Sequence, residues 1–163
     1  MVSEKLIRQL FRTQDQAVIR RLGEISETVI YKKRQEIHKA GENYTHFYML
    51  LRGAVYTYFY DEHQHPVVLC FFSEKNDFMN VENFNKQSTV GMTALTETEV
   101  FRVPIKEILQ LSDEIPTLIW VYAGYLQKTM MYLCVINNRR MNLTAEERYQ
   151  WFCEKWPEVE ASA

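Results

Sequence analysis

The chain has 163 residues, an ordinary length for one domain, and its 47% hydrophobic and 25% charged content excludes disorder as its main state. With 19 Lys+Arg against 21 Asp+Glu the net charge is −2, which excludes the strongly basic surface of a chain that grips nucleic acid along one whole face. Three cysteines (Cys70, Cys134 and Cys153) far apart, with no C-x-x-C pair, exclude a zinc ribbon or thioredoxin motif and point to free thiols in a reducing, cytoplasmic setting.

Elements follow in chain order. Residues 2–12 place Leu6, Ile7, Leu10 and Phe11 at helical spacing. Residues 15–22 repeat the pattern with Val18, Ile19 and Leu22, and Gly23 is expected to end that helix. From Thr28 the period becomes two. Strands are expected at 28–31, 36–38, 47–51, 55–60, 67–72, 90–94 and 99–103, separated by polar or Gly-containing turns. Many short strands in succession predict a sandwich or barrel. In the fourth, Tyr56, Tyr58 and Tyr60 alternate with Val55, Thr57 and Phe59, so one set faces inward; inward aromatics would narrow a pocket or stack on a ring. Pro104 opens a helix to Leu111, and Pro116 a longer one to about Asn138. The long helix is apolar on more than one stripe, through Leu118, Ile119, Tyr122, Tyr125, Leu126, Met130, Leu133 and Ile136. A surface helix needs only one apolar stripe, so the second is expected to meet a partner chain. Thr144-x-x-Glu147 is a capping box opening a last helix through Trp156, which Pro157 is expected to close.

This order resembles the cyclic-nucleotide-binding-like sensor domain of the Crp/Fnr transcription regulators. The residues that carry the resemblance are Gln35-Glu36-Ile37-His38-Lys39-Ala40-Gly41-Glu42, Phe47-Tyr48-Met49-Leu50-Leu51-Arg52-Gly53-Ala54-Val55, Asn76-Asp77-Phe78, Ala94-Leu95-Thr96-Glu97-Thr98-Glu99-Val100 and Glu146-Glu147-Arg148-Tyr149-Gln150-Trp151-Phe152. It implies an α+β chain, mainly β with flanking helices: a double-stranded β-helix, or jelly-roll, barrel of the cyclic-nucleotide-binding type followed by a long dimerisation helix. The expected organisation is residues 1–111 for the N-terminal helices and barrel with its closing helix, 112–140 for the dimerisation helix, and 141–163 for the start of a helical DNA-binding region that stops before the family's helix-turn-helix.

The departures bear on function. Where cyclic AMP-binding members carry Gly-Glu, this chain reads Asn80-Val81; where they carry Arg, it reads Gln87, ahead of Ser88-Thr89. A neutral amide cannot replace the charge-assisted fork of an arginine on a cyclic phosphate. The expectation is a homodimeric, non-enzymatic, effector-sensing domain that does not bind cyclic AMP. Its effector pocket is expected at Phe78, Met79, Asn80, Val81, Glu82, Gln87, Ser88, Thr89, Tyr122 and Tyr125, and its dimer interface at Leu118, Ile119, Tyr122, Leu126, Met130 and Leu133. No cofactor and no membrane partner is expected, and DNA is a partner only if a helix-turn-helix follows Ala163. Two alternatives stand beside this. His63-Gln64-His65 has the spacing of a cupin-like metal enzyme, with His38 or His46 as a third ligand, but no carboxylate follows at 67–70, which favours a polar turn. The other is a free-standing interaction module with an empty barrel. Lys32-Lys33-Arg34 reads as a solvated turn.

Overall fold

The structure is a computed structural model and describes residues 2–73, 75, 77–79 and 86–161. Two short helices come first, α1 (Glu4–Phe11) and α2 (Gln16–Ile25). The Ser3 and Asp15 side chains cap them by accepting from the first free backbone N–H groups. Gly23 does not end α2. It is buried inside the helix, which closes at Ser26, whose backbone N–H and hydroxyl both donate to the Leu22 carbonyl. A glycine stops a helix only where the chain must turn left-handed, and here it does not.

Seven described strands follow: β1 (Glu27–Tyr31), β2 (Glu36–His38), β3 (His46–Arg52), β4 (Val55–Tyr60), β5 (Pro66–Phe72), β6 (Val90–Ala94) and β7 (Thr98–Pro104). They form an antiparallel three-stranded sheet in the order β1-β7-β3 and an antiparallel four-stranded sheet in the order β2-β6-β4-β5. The turn from β3 to β4 needs Gly53, which has φ +96° and no room for a Cβ: one built there lies 2.6 Å from the Glu97 carbonyl. The basic run at 32–34 is the turn between β1 and β2, with Arg34 at φ 69°. Among the described residues no helix is long and apolar enough to cross a membrane.

Alternation along β3 divides the core. Tyr48 packs edge-on against Tyr44, whereas Phe47, on the opposite face, packs against a ring of the long helix at 5.1 Å. In β4 the fully buried positions are Val55 and Thr57. The tyrosines stack on the other face, Tyr56 on Tyr58 at 6.0 Å and Tyr58 on Tyr60 at 5.5 Å, with Tyr60 exposed. They do not narrow a barrel pocket. The Tyr58 ring instead lies over Gly91, and its hydroxyl donates to the Glu36 carboxylate at 2.8 Å.

Four described helices follow: α3 (Ile105–Glu114), α4 (Thr117–Asn142), α5 (Ala145–Lys155) and α6 (Pro157–Glu160). Pro104 and Pro116 each sit one residue before their helix rather than within it. The capping box at Thr144 is formed in both directions: the Glu147 carboxylate accepts from Thr144 N–H at 2.8 Å, and Thr144 Oγ1 accepts from Glu147 N–H at 3.3 Å. Pro157 does not simply close α5. It opens α6, where its missing N–H costs nothing, and α6 seats Val159 in the core.

Candidate functional site

The described candidate pocket residues form two groups, and Tyr44 donates to the backbone of both segments, at Lys86 O and Met79 O. Asn80, Val81 and Glu82 lie outside the described residues. Lys86 to Ser88 run antiparallel to the turn after β2. Gly41 N–H donates to Ser88 O at 2.7 Å, Ser88 N–H to Glu42 O at 2.9 Å, and Tyr44 N–H to Lys86 O at 3.1 Å. Ser88 is buried, and its hydroxyl is spent locally, donating to Val90 O at 2.6 Å and accepting from Val90 N–H at 3.1 Å. Gln87 and Thr89 are exposed. Gln87 lies on a backbone bridge to Asn43, and its amide brings no charge.

The second group is built by residues 77–79, which lie beside β3. Leu50 N–H donates to Asp77 O at 2.9 Å and Met79 N–H to Tyr48 O at 3.0 Å. Helix α4 grips this segment from the other side. Thr129 Oγ1 donates to Phe78 O at 3.0 Å, and Lys128 Nζ lies 3.2 Å from the Asp77 carboxylate. The Phe78 ring sits among Phe47, Tyr122 and Tyr125, with centroids 5.6–5.9 Å away. The Tyr125 hydroxyl donates to the last turn of α1 at Leu10 O, 2.6 Å away. Phe78, Tyr122 and Tyr125 thus meet in space. They wall an apolar cavity of about 60 Å3 between the β1-β7-β3 sheet, α3 and α4. That is far below the roughly 300–1,000 Å3 of a small-molecule site. Met79 is fully buried, and the Tyr44 hydroxyl donates to its carbonyl at 3.4 Å.

Burial pushes the Tyr48 phenol up to about 12 and the Cys70 thiol up to about 11, and raises the Tyr125 phenol. The Cys70 Sγ lies 3.0 Å from Thr57 Oγ1. Partial burial, reinforced by the nearby Arg102 charge, lowers His46.

Helix α4 divides its faces differently from the expectation. Leu118, Tyr122, Tyr125, Thr129, Tyr132, Ile136 and Arg140 recur at three- and four-residue steps and face the chain's own barrel. Leu118 and Ile136 are buried, Tyr122 and Tyr125 pack on Phe78, and Tyr132 packs on Phe72. The Tyr132 hydroxyl and the Arg140 guanidinium donate to the carbonyls of Phe71, Val68 and Leu69, so the helix satisfies the outer edge of β5. Of the expected interface residues, Leu118 lies in the chain's own core, and Tyr122 and Leu133 pack against it. Ile119, Leu126 and Met130 face solvent, together with Trp120, Met131 and Val135. Sequence reasoning passed over Tyr132, and it missed Lys128, Thr129 and Arg140 because it followed apolar and aromatic side chains alone. The signal was available in the same three-and-four spacing once polar residues are included.

His63 and His65 are exposed on the turn between β4 and β5. The Asp61 carboxylate accepts from both of their backbone N–H groups at 2.8 Å. Among the described residues no group of three His, Cys, Asp or Glu is placed to hold a metal.

These features place the chain in a known class. A family model for the cyclic nucleotide-binding domain matches residues 28–114, a little over half of the chain, and the chain belongs to that family. The fold matches a regulator of the Crp/Fnr family from Eubacterium rectale with a TM-score of 0.77 at 13% identity, over 96% of this chain and 74% of that one. It also matches the sensor domain of the transcriptional regulator DNR from Pseudomonas aeruginosa (TM-score 0.63, 19% identity, 78% of this chain and 92% of that one). The catabolite activator protein of Thermus thermophilus matches with a TM-score of 0.61 at 13% identity over 79% of this chain. The chain spans 61% of that protein's length. No curated protein sequence matches it.

Proposed function

We propose that the chain is the effector-sensing, dimerising regulatory domain of a Crp/Fnr-type transcription regulator, that it catalyses no reaction, and that cyclic AMP is not its effector. The observation that carries this is the double duty of α4. One face holds the segment that leads into the family's phosphate-binding turn, through Phe78, Asp77, Thr129 and Lys128. The other presents Ile119, Trp120, Leu126, Met130, Met131 and Val135 to solvent, with no acidic residue anywhere in the helix. An exposed apolar row of this length marks an interaction surface. A second copy of α4 is the occupant that such a seam suits. A ligand-driven shift of residues 77–79 would then be carried to the helix pair.

Light scattering at micromolar concentration should give twice 19.5 kDa. Met130→Glu or Leu126→Glu should shift it to monomer, because a carboxylate buried without a partner is strongly penalised. A wild-type monomer at high concentration would refute the dimer. For the effector, calorimetric titration with cyclic AMP or cyclic GMP should show no saturable heat below about 100 μM. Lack of one charge-assisted phosphate contact, worth about 1.5–3 kcal/mol, weakens binding about 10–150-fold. Micromolar binding abolished by Gln87→Ala would restore the cyclic nucleotide.

A further inference from the structure

A second cavity lies where α5 and α6 fold back on β5. It has a volume of about 140 Å3, close to the roughly 150 Å3 apolar cavity that accepts a benzene ring. Phe71, Trp151, Phe152 and Trp156 line it, and these rings brace one another. Phe71 lies 5.3 Å from Phe152 and 5.4 Å from Trp156, and Trp151 lies 5.1 Å from Trp156. Trp156 is buried, whereas Phe71, Trp151 and Phe152 are half-buried.

Two arginines, Arg140 and Arg148, also line this aromatic cavity. Among the described residues neither guanidinium is within ion-pair distance of a carboxylate; the ion pairs lie elsewhere. Arg140 uses one terminal nitrogen on the carbonyls of Val68 and Leu69. Arg148 uses Nη1 on the Arg140 carbonyl at 3.0 Å, and its Nε and Nη2 find no acceptor among the described residues. A guanidinium edge with two parallel N–H donors matches a carboxylate in a fork. An aromatic box takes a planar ring through its faces and edges. One molecule that satisfies both has a single ring bearing one carboxylate.

We propose that this cavity is a binding site for a small aromatic carboxylate, its ring among Phe71, Trp151, Phe152 and Trp156 and its carboxylate on Arg148, with Arg140 adding charge. The site lies wholly within one chain and outside the region of residues 77–89, so it stands apart from the dimer and cyclic nucleotide readings. Occupancy would tie α5 to β5. In a regulator of this family that fixes the direction in which the chain leaves the barrel.

The test is calorimetric titration of the whole chain with sodium benzoate, benzamide and sodium acetate. Benzoate should saturate one site per chain with millimolar affinity or better. Benzamide keeps the ring and loses the charge; acetate keeps the charge and loses the ring. Each should bind at least about tenfold more weakly than benzoate. Arg148→Met should weaken benzoate about tenfold or more, and Arg148→Lys should recover part of the loss. Equal affinity for benzoate and benzamide, or no saturation by benzoate at about 10 mM, overturns the proposal. The comparison of the three probes on the wild-type chain decides the matter even if a variant fails to fold. A monomeric chain that binds benzoate would overturn the dimer and leave this site standing.

Discussion

Replacing Thr129 by valine tests whether α4 holds the 77–79 segment. The change conserves volume and removes only the hydroxyl that donates to Phe78 O at 3.0 Å. Thr129 is 7% exposed and Phe78 2% exposed, so water has poor access to the stranded carbonyl. The two backbone bonds of the segment run through Asp77 O and Met79 N–H, which leaves Phe78 O dependent on Thr129. An unsatisfied buried acceptor costs about 1–3 kcal/mol. At about 3 °C per kcal/mol for a chain of this length, Tm should fall by about 3–9 °C. Thr129→Ser keeps the hydroxyl and loses one methyl, about 0.8 kcal/mol, so it should fall by less than about 3 °C. Both should be melted at one fixed chain concentration, because association raises Tm by mass action. Hydrogen exchange gives the local readout: the Leu50 and Met79 amides should exchange faster in the valine variant. A valine variant that melts no lower than the serine variant, with those amides unchanged, would refute the clamp.

Two further predictions concern the sheets. Gly91→Ala puts a Cβ 2.3 Å from the Tyr58 ring, which is held by Tyr56, Tyr60 and the bond to Glu36, so the variant should lose about 1–3 kcal/mol in urea unfolding, and Tyr58→Ala should relieve that loss in a double-mutant cycle. His46 is lowered from 6.5 in the folded chain, chiefly by burial, so the unfolded chain binds more protons as pH falls through about 6.5 and stability should drop there; His46→Gln should flatten that part of the stability–pH curve.

The strand pattern was legible because period-two alternation and turn residues are local signals. β4 and β6 run from Val55 to Tyr60 and from Val90 to Ala94, the bounds read from sequence. The Thr144 capping box is likewise a local motif and forms as read. Gly23 and Pro157 misled because each residue permits two outcomes. Glycine can stop a helix or pack inside one, and proline can end a helix or begin the next. The neighbours that choose between them are distant in sequence. The candidate pocket residues lie on two differently paired segments for a related reason. Residues 78–79 and 86–89 are close in sequence, yet Phe78 and Met79 run along β3 while Gln87 and Thr89 sit by the Gly41 turn. Pairing partners some 30–45 residues away decide this, and composition carries no trace of them.

The same argument explains why α4 resisted a reading by hydrophobicity. Its barrel-facing row is part polar, because it must answer polar backbone. Thr129 meets a carbonyl of the 77–79 segment, and Tyr132 and Arg140 meet the free edge of β5. Its solvent-facing row is apolar, through Trp120, Met130, Met131 and Val135. Polarity in such a helix does not sort by face. The arrangement has a mechanical consequence. Thr129 is one turn from Tyr132 and three turns from Arg140 on one rigid helix. A displacement of α4 itself that breaks the Phe78 contact therefore also strains the β5 edge contacts. Arg140 in turn lines the aromatic cavity under α5. Residues 77–79, the β5 edge and the α5 cavity all touch one helix, so a ligand at one of them would bias the other two only by moving α4. The bias is reciprocal, as linkage requires.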